Sequence, residues 1–164
     1  MRKKKIYQKL SDNEKVTSIL SKISIFGGLT KKQLNFIFTL LQSVSYKEGE
    51  RIFEAGEEPT HIYIIGSGEV KIVVDIDTEP LEIFSFTIGN CFGETALIGI
   101  QPHSATAVAV VDTELIVLSG EALLSIAEHD KTLFSLLMLN IAREACRRLH
   151  KTDEILLHYV HRKT

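Results

Sequence analysis

Cys91-Phe92-Gly93-Glu94-Thr95-Ala96-Leu97-Ile98-Gly99-Ile100-Gln101-Pro102-His103-Ser104-Ala105-Thr106-Ala107 reads as a turn into a short helix, then a loop that re-enters a strand. Gly93 and Glu94 stand where the turn enters the helix. The first N–H groups of a helix have no intrahelical partner, and with the helix dipole they attract an anion such as a phosphate. Gly93 has no Cβ, so a ligand can approach its backbone closely. Glu94 has two readings on spacing alone: a carboxylate for a ligand, or one that favours the helix start through the dipole.

Outward from this stretch, residues 43–118 are short apolar runs between glycine-bearing turns. Arg51-Ile52-Phe53 follows Lys47-Glu48-Gly49-Glu50, and Ala55-Gly56-Glu57-Glu58-Pro59 turns again. His61–Ile65 and Val70–Val74 are β-rich, and Gly66-Ser67-Gly68-Glu69 between them carries a hairpin signal. Leu81–Phe86 alternates with period two after a polar loop over 75–80. Thr106–Val111 and Glu114–Leu118 complete the set. Many short strands with turns at roughly 8–12 residue spacing predict a sandwich or barrel rather than a parallel α/β sheet.

Helical patterns flank this body. Ser11-Asp12-Asn13-Glu14 has capping-box form ahead of Val16, Ile19, Leu20 and Ile23, and Thr30-Lys31-Lys32-Gln33 repeats it ahead of Leu34, Ile37, Phe38 and Leu41. After Glu121 a short helix runs to about His129, and Asp130 caps a long helix from Lys131 to about Tyr159. Ala142, Ala145, Leu149, Thr152, Leu156 and Tyr159 form a weak coiled-coil-like seam along it. The organisation expected is an N-terminal helical segment (1–42), a β-barrel (43–120) with its cassette at 91–107, and C-terminal helices (121–164), one domain overall.

Composition narrows the function. The 164 residues are 45% hydrophobic, enough for a core, and the net charge of −2 provides no global basic field for nucleic acid. Two cysteines give neither a metal spacing nor a disulfide framework, and iron–sulfur binding would need four. The longest apolar run, 133–142, is too short to span a bilayer, and the basic start lacks a signal-peptide core. No nucleophile motif, glycine-rich nucleotide loop or zinc signature is present. A non-enzymatic cytoplasmic protein without a bound metal is expected.

The 91–107 stretch resembles the phosphate-binding cassette of cyclic nucleotide-binding domains, as found in catabolite activator proteins and kinase regulatory subunits. Phe26-Gly27-Gly28-Leu29-Thr30, Gly49–Phe53, Ala55-Gly56-Glu57, Ile62–Val70 and Leu115–Ser119 resemble further signatures of that family, in order over roughly residues 23–150. The resemblance implies a mainly β fold, a jelly-roll-like eight-stranded barrel with N-terminal helices, a short cassette helix and a long C-terminal helix as lid. It implies cAMP or cGMP as ligand, with Phe92, Gly93, Glu94, Thr95, Ala96, His103, Ser104, Ala105, Thr106 and Arg148 as the ligand-binding set. Glu94 would take the ribose 2′-hydroxyl. Ser104 would donate to the phosphate, Thr106 would face the base or serve as an ordinary strand residue, and Arg147, Arg148 and Thr152 would reach a purine from the last helix or form a solvated face.

One departure stands beside the match. His103 follows Pro102 where the family carries an arginine. Arginine holds a permanent charge and grips phosphate through two hydrogen bonds, whereas histidine offers one donor and is mostly neutral at pH 7. An under-paired buried anion costs roughly 3–5 kcal/mol, so affinity for a cyclic phosphate should fall by about two to three orders of magnitude. A bound phosphate would raise the histidine's pKa and make binding stronger in acid; otherwise His103 is an exposed loop residue. Three functional classes fit: a cyclic nucleotide sensor acting through a protein partner or as a homodimer along the last helix; a scaffold that binds no cyclic nucleotide; and the sensor half of a transcription regulator. Direct DNA binding by this chain is not expected, since no helix-turn-helix follows the long helix.

Overall fold

The structure, a computed structural model, describes residues 5–10, 20 and 23–161. Most of the helix expected after Ser11 lies outside these residues; Leu20 and Ile23 from its apolar set are both buried in the core. A 3-10 turn at Ser24–Phe26 leads to helix α1 (Lys31–Leu40), whose start carries the expected capping box: Gln33 N–H donates to Thr30 Oγ1, and Thr30 N–H donates to Gln33 Oε1.

Among the described residues, nine strands form two antiparallel sheets. The first has the order β1 (Gln8–Lys9), β2 (Gln42–Tyr46), β9 (Thr113–Ser119), β4 (His61–Ser67), β7 (Cys91–Phe92). The second has the order β3 (Arg51–Phe53), β8 (Thr106–Ala109), β5 (Glu69–Val74), β6 (Leu81–Thr87). Strand β4 shows why its sequence is continuously apolar rather than alternating. Its Ile62 and Ile64 pack among helical residues such as Ile37, Leu133 and Leu137, while Tyr63 and Ile65 join the other core with Val70, Ala107 and Ala109. Successive strand residues point to opposite faces, and both faces of β4 are covered.

The hairpin expected at 66–69 does not form. Strands β4 and β5 belong to different sheets, and β5 pairs with β6 and β8 instead. Gly68 explains the crossing. It has φ +92°, and a Cβ there would lie 2.4 Å from Thr113 Oγ1 and 2.8 Å from the Asp112 carbonyl oxygen. The glycine marks a tight passage from one sheet to the other, held by Thr113 Oγ1, which accepts from Glu69 N–H.

Helix α2 (Glu94–Gly99) sits in the cassette, and α3 (Gly120–His129) leads to α4 (Lys131–His161). Asp130 caps α4 by accepting from Leu133 N–H at 2.9 Å. The first half of α4 is fastened by buried Leu133, Leu137 and Ile141, and by the Asn140 amide, which donates to the Ile25 and Gly27 carbonyls at 3.1 and 2.8 Å. Beyond Ile141 the helix is mostly exposed.

Replacing Gly68 with alanine forces both a left-handed backbone and an overlap with backbone atoms, so it should cost about 2–5 kcal/mol. Urea denaturation of Gly68→Ala measures this. Gly56, also at positive φ but with open space around it, should cost less on the same change.

Candidate functional site

The outer half of α4 covers a cavity of about 290 Å³ between the cassette and the second sheet. This lies at the small end of ligand pockets, which run roughly 300–1,000 Å³. Of the residues expected to bind ligand, Phe92, Gly93, Thr95, Ala96, His103, Ser104, Ala105 and Arg148 line it. Glu94 and Thr106 do not: both are buried, and the Thr106 hydroxyl accepts from Ala55 N–H at 3.2 Å, the ordinary strand role.

Gly93 is the N-cap of α2 at φ +81°, and a Cβ there would meet Tyr63 Cδ2 at 3.0 Å and the His61 carbonyl oxygen at 3.1 Å. Its missing side chain therefore lets the cassette lie close on β4. Glu94 is fully buried, and the Arg148 guanidinium of α4 forms an ion pair with it through Oε1. Glu94 Oε2 and Arg148 Nε are buried without a hydrogen-bond partner among the described residues. Arg148 also lies 5.4 Å over the Phe86 ring, and burial lowers its pKa, with the Cys91 thiol opposing that shift. Burial pushes the Cys91 thiol up to about 11. On the exposed side of α4, Arg147 pairs with Glu144, three residues earlier.

His103 corrects the exposed-loop alternative. It is 6% exposed, and its ring stacks on Phe53 at 3.6 Å with 6° between the planes. Its backbone is pinned as well: the N–H donates to the Glu57 carbonyl at 2.9 Å, and the carbonyl accepts from Gly56 N–H at 2.8 Å. Burial lowers its pKa below the ordinary 6.5, with the Glu57 charge working weakly the other way. Ser104 beside it is exposed.

Sequence reasoning missed the apolar wall formed by Phe53, Ile72, Ile83, Phe84 and Phe86. The signal was the spacing of Phe84 and Phe86, two apart on one face of β6. It also assigned Ala145 and Leu149 to a helix–helix seam alone, whereas both line the cavity, as does Thr152, which was expected either on that seam or reaching a purine.

A family model described as the cyclic nucleotide-binding domain matches residues 43–130. The chain belongs to that family. The cyclic AMP receptor protein of Thermus thermophilus is 29% identical over 130 residues, 79% of this chain and 58% of its own length. The cAMP-dependent protein kinase regulatory subunit of Dictyostelium discoideum is 33% identical over 111 residues, 65% of this chain and 33% of its own. The crystal structure of a cyclic nucleotide-binding domain from Methylobacillus flagellatus superposes with a TM-score of 0.77 at 23% identity, covering 88% of this chain and 82% of that one. The chain spans between 11% and 58% of the length of the curated relatives compared with it. The fold is mainly β with flanking helices, its two antiparallel sheets arranged as in the family's jelly-roll domains, with nine strands among the described residues rather than the eight expected.

Two measurements check the site. Arg148→Ala leaves the Glu94 carboxylate buried and unpaired and should destabilise by about 3–5 kcal/mol, whereas Glu94→Leu with Arg148→Met should recover most of that loss. Chemical denaturation of the three proteins decides it. The second concerns pH. Burial lowers both His61 and His103 below 6.5, so the unfolded chain takes up protons before the folded chain does as pH falls. Their contribution is intact above about pH 6.5 and declines below it, towards the folded-state values. Melting temperature should therefore drop on acidification from neutral pH, and His103→Phe should flatten the decline.

Proposed function

We propose that this chain is a non-enzymatic regulatory module whose cavity beneath α4 binds a cyclic nucleotide-type ligand, cAMP or cGMP as the family implies, and signals by repositioning α4. The observation that carries this reading is the Glu94–Arg148 pair, which ties the cassette directly to the lid helix. A ligand hydroxyl that reaches Glu94 either pairs with the buried, unpartnered Oε2 or displaces Arg148, and in both cases it acts on α4. A ligand that favours one placement of the helix shifts the population by its difference in affinity for the two. The signal passes to a protein partner or to a second copy along α4, where Leu139, Leu149 and Leu157 are exposed.

The scaffold reading has one observation in its favour: His103 is buried against Phe53 and held neutral, so it does not replace the family's arginine as a charged donor. A label on Cys146 separates the two. Cys146 is exposed on α4, while Cys91 is buried with its thiol pushed up to about 11, so a maleimide fluorophore attaches to Cys146 alone. Sensor behaviour predicts that millimolar cAMP, cGMP or their parent nucleosides raise the melting temperature and change the label's emission. No response to any of them would leave the scaffold.

A further inference from the structure

Among the described residues, no uncompensated positive charge lines the cavity. Two cationic-type side chains line it. Arg148 is already paired with a fully buried carboxylate. His103 has its ring face closed by Phe53 at 3.6 Å, and the charge that acts on it from Glu57 is negative. Helix α2, at six residues, adds only a short stack of peptide dipoles. Moving a phosphate anion from water into such a site leaves its charge under-paired, which is costly.

The rest of the cavity has a different complementarity. Arg148, on the cavity wall, carries a buried donor in Nε, and Glu94, paired with it, a buried acceptor in Oε2; neither atom has a hydrogen-bond partner among the described residues. Thr95, Ser104 and Thr152 add hydroxyls on the wall. These neutral or mutually compensated groups suit a hydroxylated sugar. Opposite them, Phe84 and Phe86 are stacked within 6.0 Å of each other, and His103 with Phe53 forms a second aromatic pair, giving flat apolar surfaces for a planar ring. The volume of about 290 Å³ favours a small ligand.

Resting on the reading of this cavity as the ligand site, we propose that it takes an uncharged nucleoside, a planar ring joined to a free sugar, in preference to the same nucleoside closed into a cyclic phosphate. The aromatic and apolar wall holds the ring, and the Glu94–Arg148 pair recognises sugar hydroxyls. The neutral Phe53–His103 stack occupies the place where a phosphate would need a cation.

Calorimetry on the full chain at neutral pH, with adenosine, guanosine, cAMP and cGMP as probes, tests this. At least one nucleoside should bind roughly tenfold or more tighter than its own cyclic phosphate, the ratio expected when one charged hydrogen bond is missing. His103→Arg should reverse the order, provided circular dichroism shows the variant folded; if it is not, the wild-type order decides alone. A cyclic phosphate that binds wild type as well as or better than its nucleoside overturns the inference and leaves the proposed function standing. No binding of any of the four, at millimolar concentration, to wild type overturns both.

Discussion

The Glu94–Arg148 ion pair is the interaction on which the rest of the site depends. A carboxylate with no solvent exposure is tolerable only with a charged partner, and that partner comes from a helix 54 positions later in the chain. Taking both charges out of water opposes most of their attraction, so the pair adds little net stability; removing one member is what costs. Its value is positional. Helix α4 is held near its start by Leu133, Leu137, Ile141 and the Asn140 amide, and farther out by Arg148 with its contact over Phe86. The stretch between is mostly exposed, with Glu144 and Ala145 half-buried, and Arg148 is the charged tie between the outer half and the cassette.

His103 gives the same cavity its chemical character. A histidine edge-on to a cavity with an acidic neighbour would titrate and bind anions. This one lies flat on Phe53, with its backbone hydrogen-bonded to the 54–57 turn, so its ring works mainly as aromatic surface. Together with Phe84, Phe86 and Phe92 it makes the wall apolar, and burial then favours the neutral imidazole. Charge at one end is concentrated in a compensated pair, while aromatic and aliphatic side chains supply much of the remaining wall.

Much of the fold was legible because the relevant signals are local. The capping box at Thr30 and the Asp130 cap are satisfied within three residues, and the period-two pattern at Leu81–Phe86 marks a strand with one face outward. The hairpin at Gly66–Glu69 was misread because a glycine turn between two apolar runs looks alike whether the chain doubles back or changes sheet. What decides it is Thr113, which is far away in sequence and fills the space beside Gly68. The cassette residues were legible through resemblance, and most of them line one cavity. The partner of Glu94 was not, since nothing around Arg148 distinguishes it from its solvated neighbour Arg147. The stacking of His103 was also hidden, because it depends on β3 lying beside β8.

The central claim is that the Glu94–Arg148 pair holds the outer half of α4 over the cavity. Native-state hydrogen exchange, comparing wild type with Glu94→Gln, tests it most directly. The account predicts faster exchange at the amides of residues 145–152 and unchanged protection over 133–141, where apolar packing and Asn140 do the fastening. Equal protection of residues 145–152 in the two proteins would contradict it.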